Sequence, residues 1–260
     1  MFSELNSSIP HLDSFWKKSK IVTNNALSQV GLRIEKVNKH YSIRKLPRRP
    51  GKNVFKDIQY LLKKKPQSVI FDVGANVGDT AQQFLKFFPQ AKLHCFEPNP
   101  RAFASLTQKL VNQKNATLNN LGLGAVSGQA DYYDIDISAS GSFLKPDHLS
   151  WGNSLGIRKL PVVTLDDYCQ QNNIGQIDVL KSDTQGFELE VLRGAQNQLR
   201  QKTIKMIYLE IIFSKMYHEL PAPGKILSFL SEYGFSVAAV YKVHYERGKA
   251  SWTDMLFTLD

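Results

Sequence analysis

From Ser68 onward, short apolar runs alternate with stretches of helical period. Ser68-Val69-Ile70-Phe71-Asp72 is an uninterrupted apolar run closed by an acid, the pattern of a strand buried on both faces. Thr80 to Phe88 reads as a helix stopped by Pro89, and Lys92 to Phe96 as a second strand. Pro100 to Val111 reads as a second helix with proline in its first turn, and Ala116 to Leu121 as a third strand. Further strands are predicted at Ile177–Leu180 and Lys205–Ile211, with β-rich segments at Phe235–Tyr241 and Thr253–Leu259. Strand–helix alternation of this kind implies an α/β fold with a mostly parallel sheet covered by helices on both faces. Ligands of such sheets bind outside the carboxyl ends of the strands.

Upstream, residues 12–31 space Leu12, Phe15, Trp16, Val22, Leu27 and Val30 roughly as one face of a helix, with Asp13 as its cap. Pro47, Pro50 and Gly51 mark residues 42–53 as a linker, and a helix is predicted from Val54 to Lys64. The expected division is a basic helical extension over residues 1–52 and a main domain over 53–260.

Charge sharpens that division. The net charge is +10, but residues 1–65 hold 15 Lys/Arg against 4 Asp/Glu, whereas the rest holds 18 against 19. Clusters such as Lys17-Lys18, Arg48-Arg49 and Lys63-Lys64-Lys65 are a solvated surface or, through residues 1–50, a peripheral contact with anionic lipid. Aromatic residues interleaved with these cations are sparse, which disfavours a nucleic-acid surface. There is no run of 18 apolar residues, and Met1 to Pro10 lacks the apolar core of a signal peptide. Cys95 and Cys169 have neither metal nor disulfide spacing, so a reducing cytoplasm is the expected compartment.

The candidate chemistry begins at Asp72-Val73-Gly74-Ala75-Asn76-Val77-Gly78, between the first strand and the first helix. Gly74 and Gly78 would permit a tight turn and close approach of a ligand. Asp72 would repel a pyrophosphate, and it occupies the place of the first glycine of a dinucleotide fingerprint. A cationic ligand suits it better: the ammonium and sulfonium of S-adenosylmethionine, with Asn76 hydrogen bonding at the same end. Glu97 closes the second strand about 20 residues later, where an acid accepts from ribose hydroxyls. Asn120, in Asn119-Asn120-Leu121-Gly122, is placed to meet the adenine.

Four candidates could take a proton from an acceptor: Asp183 at the end of the fourth strand, Glu210 inside the apolar run Ile207–Ile211, His218 and His148. Asp183 also falls where it could touch the cofactor, and Glu188 should open the helix that follows it. Thr164-Leu165-Asp166-Asp167 reads as a capped helix start, and residues 138–156 as an insertion carrying acceptor contacts, with Trp151, Tyr217 and Tyr245 as stacking residues.

These segments resemble the FkbM family of methyltransferases. The resemblance rests on Phe71-Asp72-Val73-Gly74-Ala75-Asn76-Val77-Gly78, Phe96-Glu97-Pro98-Asn99-Pro100, Val163-Thr164-Leu165-Asp166-Asp167, Leu180-Lys181-Ser182-Asp183-Thr184-Gln185-Gly186-Phe187-Glu188 and Tyr208-Leu209-Glu210, and covers roughly residues 53–260. It implies a class I methyltransferase fold, Rossmann-like, with seven strands, mostly parallel, and an antiparallel last strand. It also implies S-adenosylmethionine as cofactor and a hydroxyl of a sugar, glycan or natural product as acceptor. The family often has Glu where this chain has Gln185. A divalent metal on Asp183 and Glu210 is the less favoured expectation, because two carboxylates are too few for a hard cation. The competing readings are an RNA methyltransferase, which steeply salt-dependent RNA binding would reveal, and a non-catalytic module that keeps the cofactor pocket.

Overall fold

The computed structural model describes residues 32–37, 40–45, 50–63, 65 and 67–259. The helix expected over residues 12–31, with its cap Asp13, lies outside the described residues. Two strands precede the main domain, β1 (Leu32–Val37) and β2 (His40–Lys45), paired antiparallel from Leu32↔Lys45 to Val37↔His40. This corrects two expectations, since the extension is not wholly helical and the linker does not begin at residue 42. Alternation in Leu32-Arg33-Ile34-Glu35 and in Tyr41-Ser42-Ile43-Arg44 suits a hairpin, and the prolines that dominated the linker reading come only after it. The hairpin belongs to a unit that ends at Arg49; the second unit begins at Pro50.

In that second unit come α1 (Val54–Leu61), β3 (Val69–Val73), α2 (Asp79–Phe87), β4 (Lys92–Phe96), α3 (Pro100–Lys109) and β5 (Ala116–Asn119). Asn53 caps α1 by accepting from Lys56 N, and Asn99 caps α3 ahead of Pro100. A small sheet follows, with β6 (Gly122–Leu123), β7 (Gly128–Ile135) and β8 (Ser154–Val163) in the order β6-β8-β7. Then come α4 (Leu165–Gln171), β9 (Ile177–Ser182), α5 (Glu188–Arg193), α6 (Gln196–Arg200), β10 (Ile204–Ile212), α7 (Pro223–Glu232), β11 (Phe235–Val240), β12 (His244–Glu246) and β13 (Lys249–Leu259). The expected cap of α4 is present: Thr164 accepts from Asp167 N at 3.0 Å.

The main sheet runs β11-β13-β10-β9-β3-β4-β5, with β12 hairpinned onto β13. β5, β4, β3, β9 and β10 are mutually parallel, and β13 is antiparallel to both β10 and β11. That is the class I methyltransferase sheet with an antiparallel last strand. Alternate residues of β3 feed two cores. Phe71 and Val73 pack with Phe96, Leu180, Ile207 and the helices of one face, whereas Ile70 packs with Leu93, Val179, Ile58, Phe84 and Leu106 of the other. Chain order reverses between β3 and β9, so a crevice opens at their carboxyl ends.

Candidate active site

The turn after β3 is held by the neighbouring strand. Gly74 N and Ala75 N both donate to Phe96 O at 3.0 Å, and Asn76 N donates to Glu97 Oε2 at 2.7 Å. Gly74 (φ 73°) and Asn76 (φ 46°) are in the left-handed region. Gly74 is also in close contact: a Cβ there would lie 1.8 Å from Asp183 O. The turn therefore presses directly against the end of β9.

Beneath it lies a buried ion pair. Lys181 Nζ sits 2.9 Å from Asp72 Oδ1 and donates to Gly74 O at 2.9 Å and Val73 O at 3.3 Å. Burial works against the ammonium, but the Asp72 and Asp183 carboxylates outweigh it and hold the proton more tightly than usual. Asp72 is fully buried, and Lys181 is its one ion-pair partner among the described residues. This corrects the expectation that Asp72 faces a cationic ligand: its charge is taken up by Lys181 under the turn. Lys181 is the functional residue the sequence reading missed. Its signal was a lysine inside the apolar strand Val179-Leu180-Lys181-Ser182, where a charge needs a partner.

Above the turn is a cleft of about 300 Å³ whose lining includes Gly74, Asn76, Glu97, Phe143, Asp183 and Glu210. Asn76 Oδ1 is buried with no protein partner. Glu97 accepts from Asn76 N on one oxygen and from Asn99 N, at 2.8 Å, on the other. Burial pushes its proton affinity up, to a pKa of about 7, against those two hydrogen bonds. Asp183 and Glu210 come together through one amide: Gln185 Nε2 donates to Asp183 Oδ1 at 3.0 Å and to Glu210 Oε2 at 2.8 Å. A smaller polar cavity of about 180 Å³ adjoins, sharing Asp183, Glu210 and Trp252 with the cleft and adding Tyr208 and Asp254.

Residues 72–237 match the model of the methyltransferase FkbM domain. The chain belongs to the FkbM methyltransferase family. It is an S-adenosylmethionine-dependent methyltransferase. It is 33% identical over 172 residues to the 2-O-methyltransferase NoeI of Sinorhizobium fredii, covering 62% of this chain and 70% of that one. It is 28% identical over 165 residues to the hexuronic acid methyltransferase AglP of Haloferax volcanii, covering 63% and 62%. It is also 28% identical over 224 residues to the 31-O-demethyl-FK506 methyltransferase FkbM of Streptomyces tacrolimicus, covering 72% and 81%.

Within this FkbM-family cleft the expected residues separate. Gly74, Asn76, Glu97, Asp183 and Glu210 line it, and Trp151 does so from the segment between β7 and β8. Five expected cofactor or catalytic residues do not, Asp72 under the turn among them. Gly78 opens α2 with φ 91° and packs on α3, where a Cβ would meet Leu106 Cδ1 at 2.8 Å. Asn120 Nδ2 donates to the carbonyls of Glu97 and Pro98, so it fixes the end of β4 from outside the cleft. His218 is exposed; its N donates to Lys145 O, and it lines a separate surface depression with Lys145, Phe187 and Glu219. His148 is exposed too, paired with its neighbour Asp147. A position just after a strand, the ground for His218, does not say which way a loop turns.

Glu188 opens α5 as expected, but it is buried and turns back to accept from Thr184 N at 2.7 Å and Gly186 N at 3.3 Å, fixing the turn that carries Gln185. Among the described residues no group of three or more His, Cys, Asp or Glu is arranged to hold a metal ion, and no helix of theirs is long and apolar enough to cross a membrane.

The buried acids make a pH prediction. Burial raises Glu97 and Glu188 to about 7 and Asp254 to about 6. Their folded-state affinities exceed the unfolded ones, so the native state binds more protons, and stability present at about pH 4 is lost as pH rises to 7. His94, lowered to about 4 by burial and by Lys92, opposes this below pH 6.5. Three acids against one histidine leave a net fall of roughly 1.4 kcal/mol per pH unit for each acid in excess. Urea unfolding between pH 5 and 8 should show stability declining with pH; a flat or rising profile would contradict these environments.

Proposed function

We propose that the protein methylates a hydroxyl oxygen of a sugar or another small molecule. The observation that carries this reading is one cleft lined by the glycine turn, Glu97 and the Asp183–Glu210 pair. The residues present suit the cofactor. Asn76 Oδ1 is a buried acceptor without a partner, and each oxygen of Glu97 keeps a lone pair for a ribose hydroxyl after its one backbone bond. Gly74, Asn76 and Glu97 would hold S-adenosylmethionine, which brings a methyl group already activated on sulfonium.

What remains for the chain is to place the acceptor oxygen and take its proton. Asp183, 41% exposed, is the acceptor of that proton. Glu210 is buried beside it, and burial and the Asp183 carboxyl push its proton affinity well above the usual range. Carboxyl groups at Glu97, Asp183 and Glu210 around the cleft, with Asp254 adjoining, oppose a phosphodiester acceptor and suit a neutral one. Two of the relatives are named for transfer to oxygen, which supports an oxygen acceptor, and a third for a hexuronic acid, which supports a sugar.

Calorimetric titration tests the foundation. S-adenosylmethionine should bind and NAD should not; Glu97→Ala should weaken binding about tenfold or more, the size of one or two lost hydrogen bonds to a charged group. Affinity should also fall as pH drops below about 7, where Glu97 takes a proton. A folded protein that binds no S-adenosylmethionine would remove this reading.

A further inference from the structure

Gln185 lies two residues past Asp183 with φ of 56°, a left-handed conformation that costs a side-chain-bearing residue about 1 kcal/mol or more. Something must hold it there, and four hydrogen bonds do. Its backbone carbonyl accepts from Ser142 Oγ at 2.8 Å. Its Oε1 accepts from the Tyr217 hydroxyl at 3.0 Å, and that hydroxyl also reaches Ser140 O at 3.1 Å. With Oε1 engaged, Nε2 turns toward the two acids, and a primary amide has two N–H donors. Each carboxyl group therefore receives one.

We infer that Gln185 is a positioning residue that bridges Asp183 and Glu210 and makes them one proton-accepting unit facing the acceptor hydroxyl. What the unit does rests on the proposed function; the bridge itself does not. In this chain, where the family often has Glu, the amide supports both carboxyl groups by donating and adds no charge. A carboxylate in its place would set a third acid against two that already repel. The groups facing Glu210 make that repulsion concrete. Asp183 comes from the end of β9, Glu188 from α5, and Asp254 from β13, where it is the cross-strand partner of Glu210. Tyr217 faces it from the loop after β10, and Lys181 is the one cation acting against them. Like charges opposed across two strands destabilise a sheet unless something offsets them. Lys181 is already committed to Asp72 and the turn carbonyls, which leaves the Gln185 amide as the group that reaches both acids.

The test is carboxyl titration by carbon-13 NMR of the full chain, with Glu210 assigned through Glu210→Gln. Gln185→Met keeps length and removes the donors. It should raise the Glu210 midpoint by about one pH unit, a tenfold gain in proton affinity. Gln185→Glu should introduce an additional carboxyl titrating above the ordinary glutamate range. Tyr217→Phe frees the carbonyl side of the amide and should raise the Glu210 midpoint by less, in the same direction. A folded Gln185→Met protein with Glu210 titrating where it does in the parent overturns the bridge. If Gln185→Met does not fold, Tyr217→Phe decides: a rise supports the bridge and an unmoved midpoint overturns it. Failure of the parent to bind S-adenosylmethionine would sink the proposed function and leave this titration to be read on its own.

Discussion

Gly74→Ala is expected to abolish S-adenosylmethionine binding and to lower the unfolding free energy by about 3 kcal/mol or more. Two effects combine. At φ 73° any side chain is strained, and the added Cβ would lie 1.8 Å from Asp183 O and 2.9 Å from its carbonyl carbon. Both are backbone atoms at the end of a buried strand, so neither can swing aside as a side-chain tip would. The turn and the end of β9 must part, and that moves Asn76 and Asp183, which both line the cleft. Gly175→Ala is the control, since nothing lies within 4 Å of a Cβ there. Urea unfolding and calorimetry read the two effects separately. Parent-like stability together with parent-like cofactor affinity in Gly74→Ala would refute the close approach of turn and strand.

The second large effect is expected at Lys181. Lys181→Met should cost about 3–5 kcal/mol, because it leaves the fully buried Asp72 carboxylate without its ion-pair partner among the described residues. The turn carbonyls of Val73 and Gly74 lose their donor in the same change. The deficit should depend on pH. An unpaired buried Asp72 takes up a proton more readily than its unfolded form, so the variant keeps most of its stability below about pH 4 and loses it as pH rises. Asp72→Asn combined with Lys181→Met removes the orphaned charge and should recover a large part of the loss. A coupling of about 1–3 kcal/mol in the double-mutant cycle would be the signature of the pair. Additive losses would mean that Lys181 acts through the turn carbonyls alone.

These two sites mark where sequence reasoning stops. Gly74 could be found because a glycine after a buried strand is a local pattern. The strands themselves were readable for a similar reason: a parallel strand covered on both faces must be apolar throughout, and Val69–Phe71 and Ile177–Leu180 are. β8 was not readable. Its residues Ser154 to Lys159 are exposed, so Ser-Leu-Gly-Ile-Arg-Lys carries no burial period, and the second sheet was not predicted. α7 was missed as well, since Ala222 offers no side-chain cap and Pro223 in the first turn is its local start signal.

The chain's own order of residues determined the family, the order of strands and helices, the glycine turn, and the acids at the strand ends, Glu97, Asp183 and Glu210. Each of these follows from short-range pattern: period, punctuation, and the position of a charge at the end of an apolar run. Only the tertiary structure decided which acid faces the cleft and which is spent inside. Asp72 and Lys181 are 109 positions apart and meet because β3 and β9 pair with Asp72 opposite Lys181. Gln185, Glu210 and Tyr217 meet because the turn after β9 folds over the end of β10. A charge declares its need for a partner in the sequence, but which partner satisfies it is set by strand register and loop direction, and those are fixed by burial across the whole sheet.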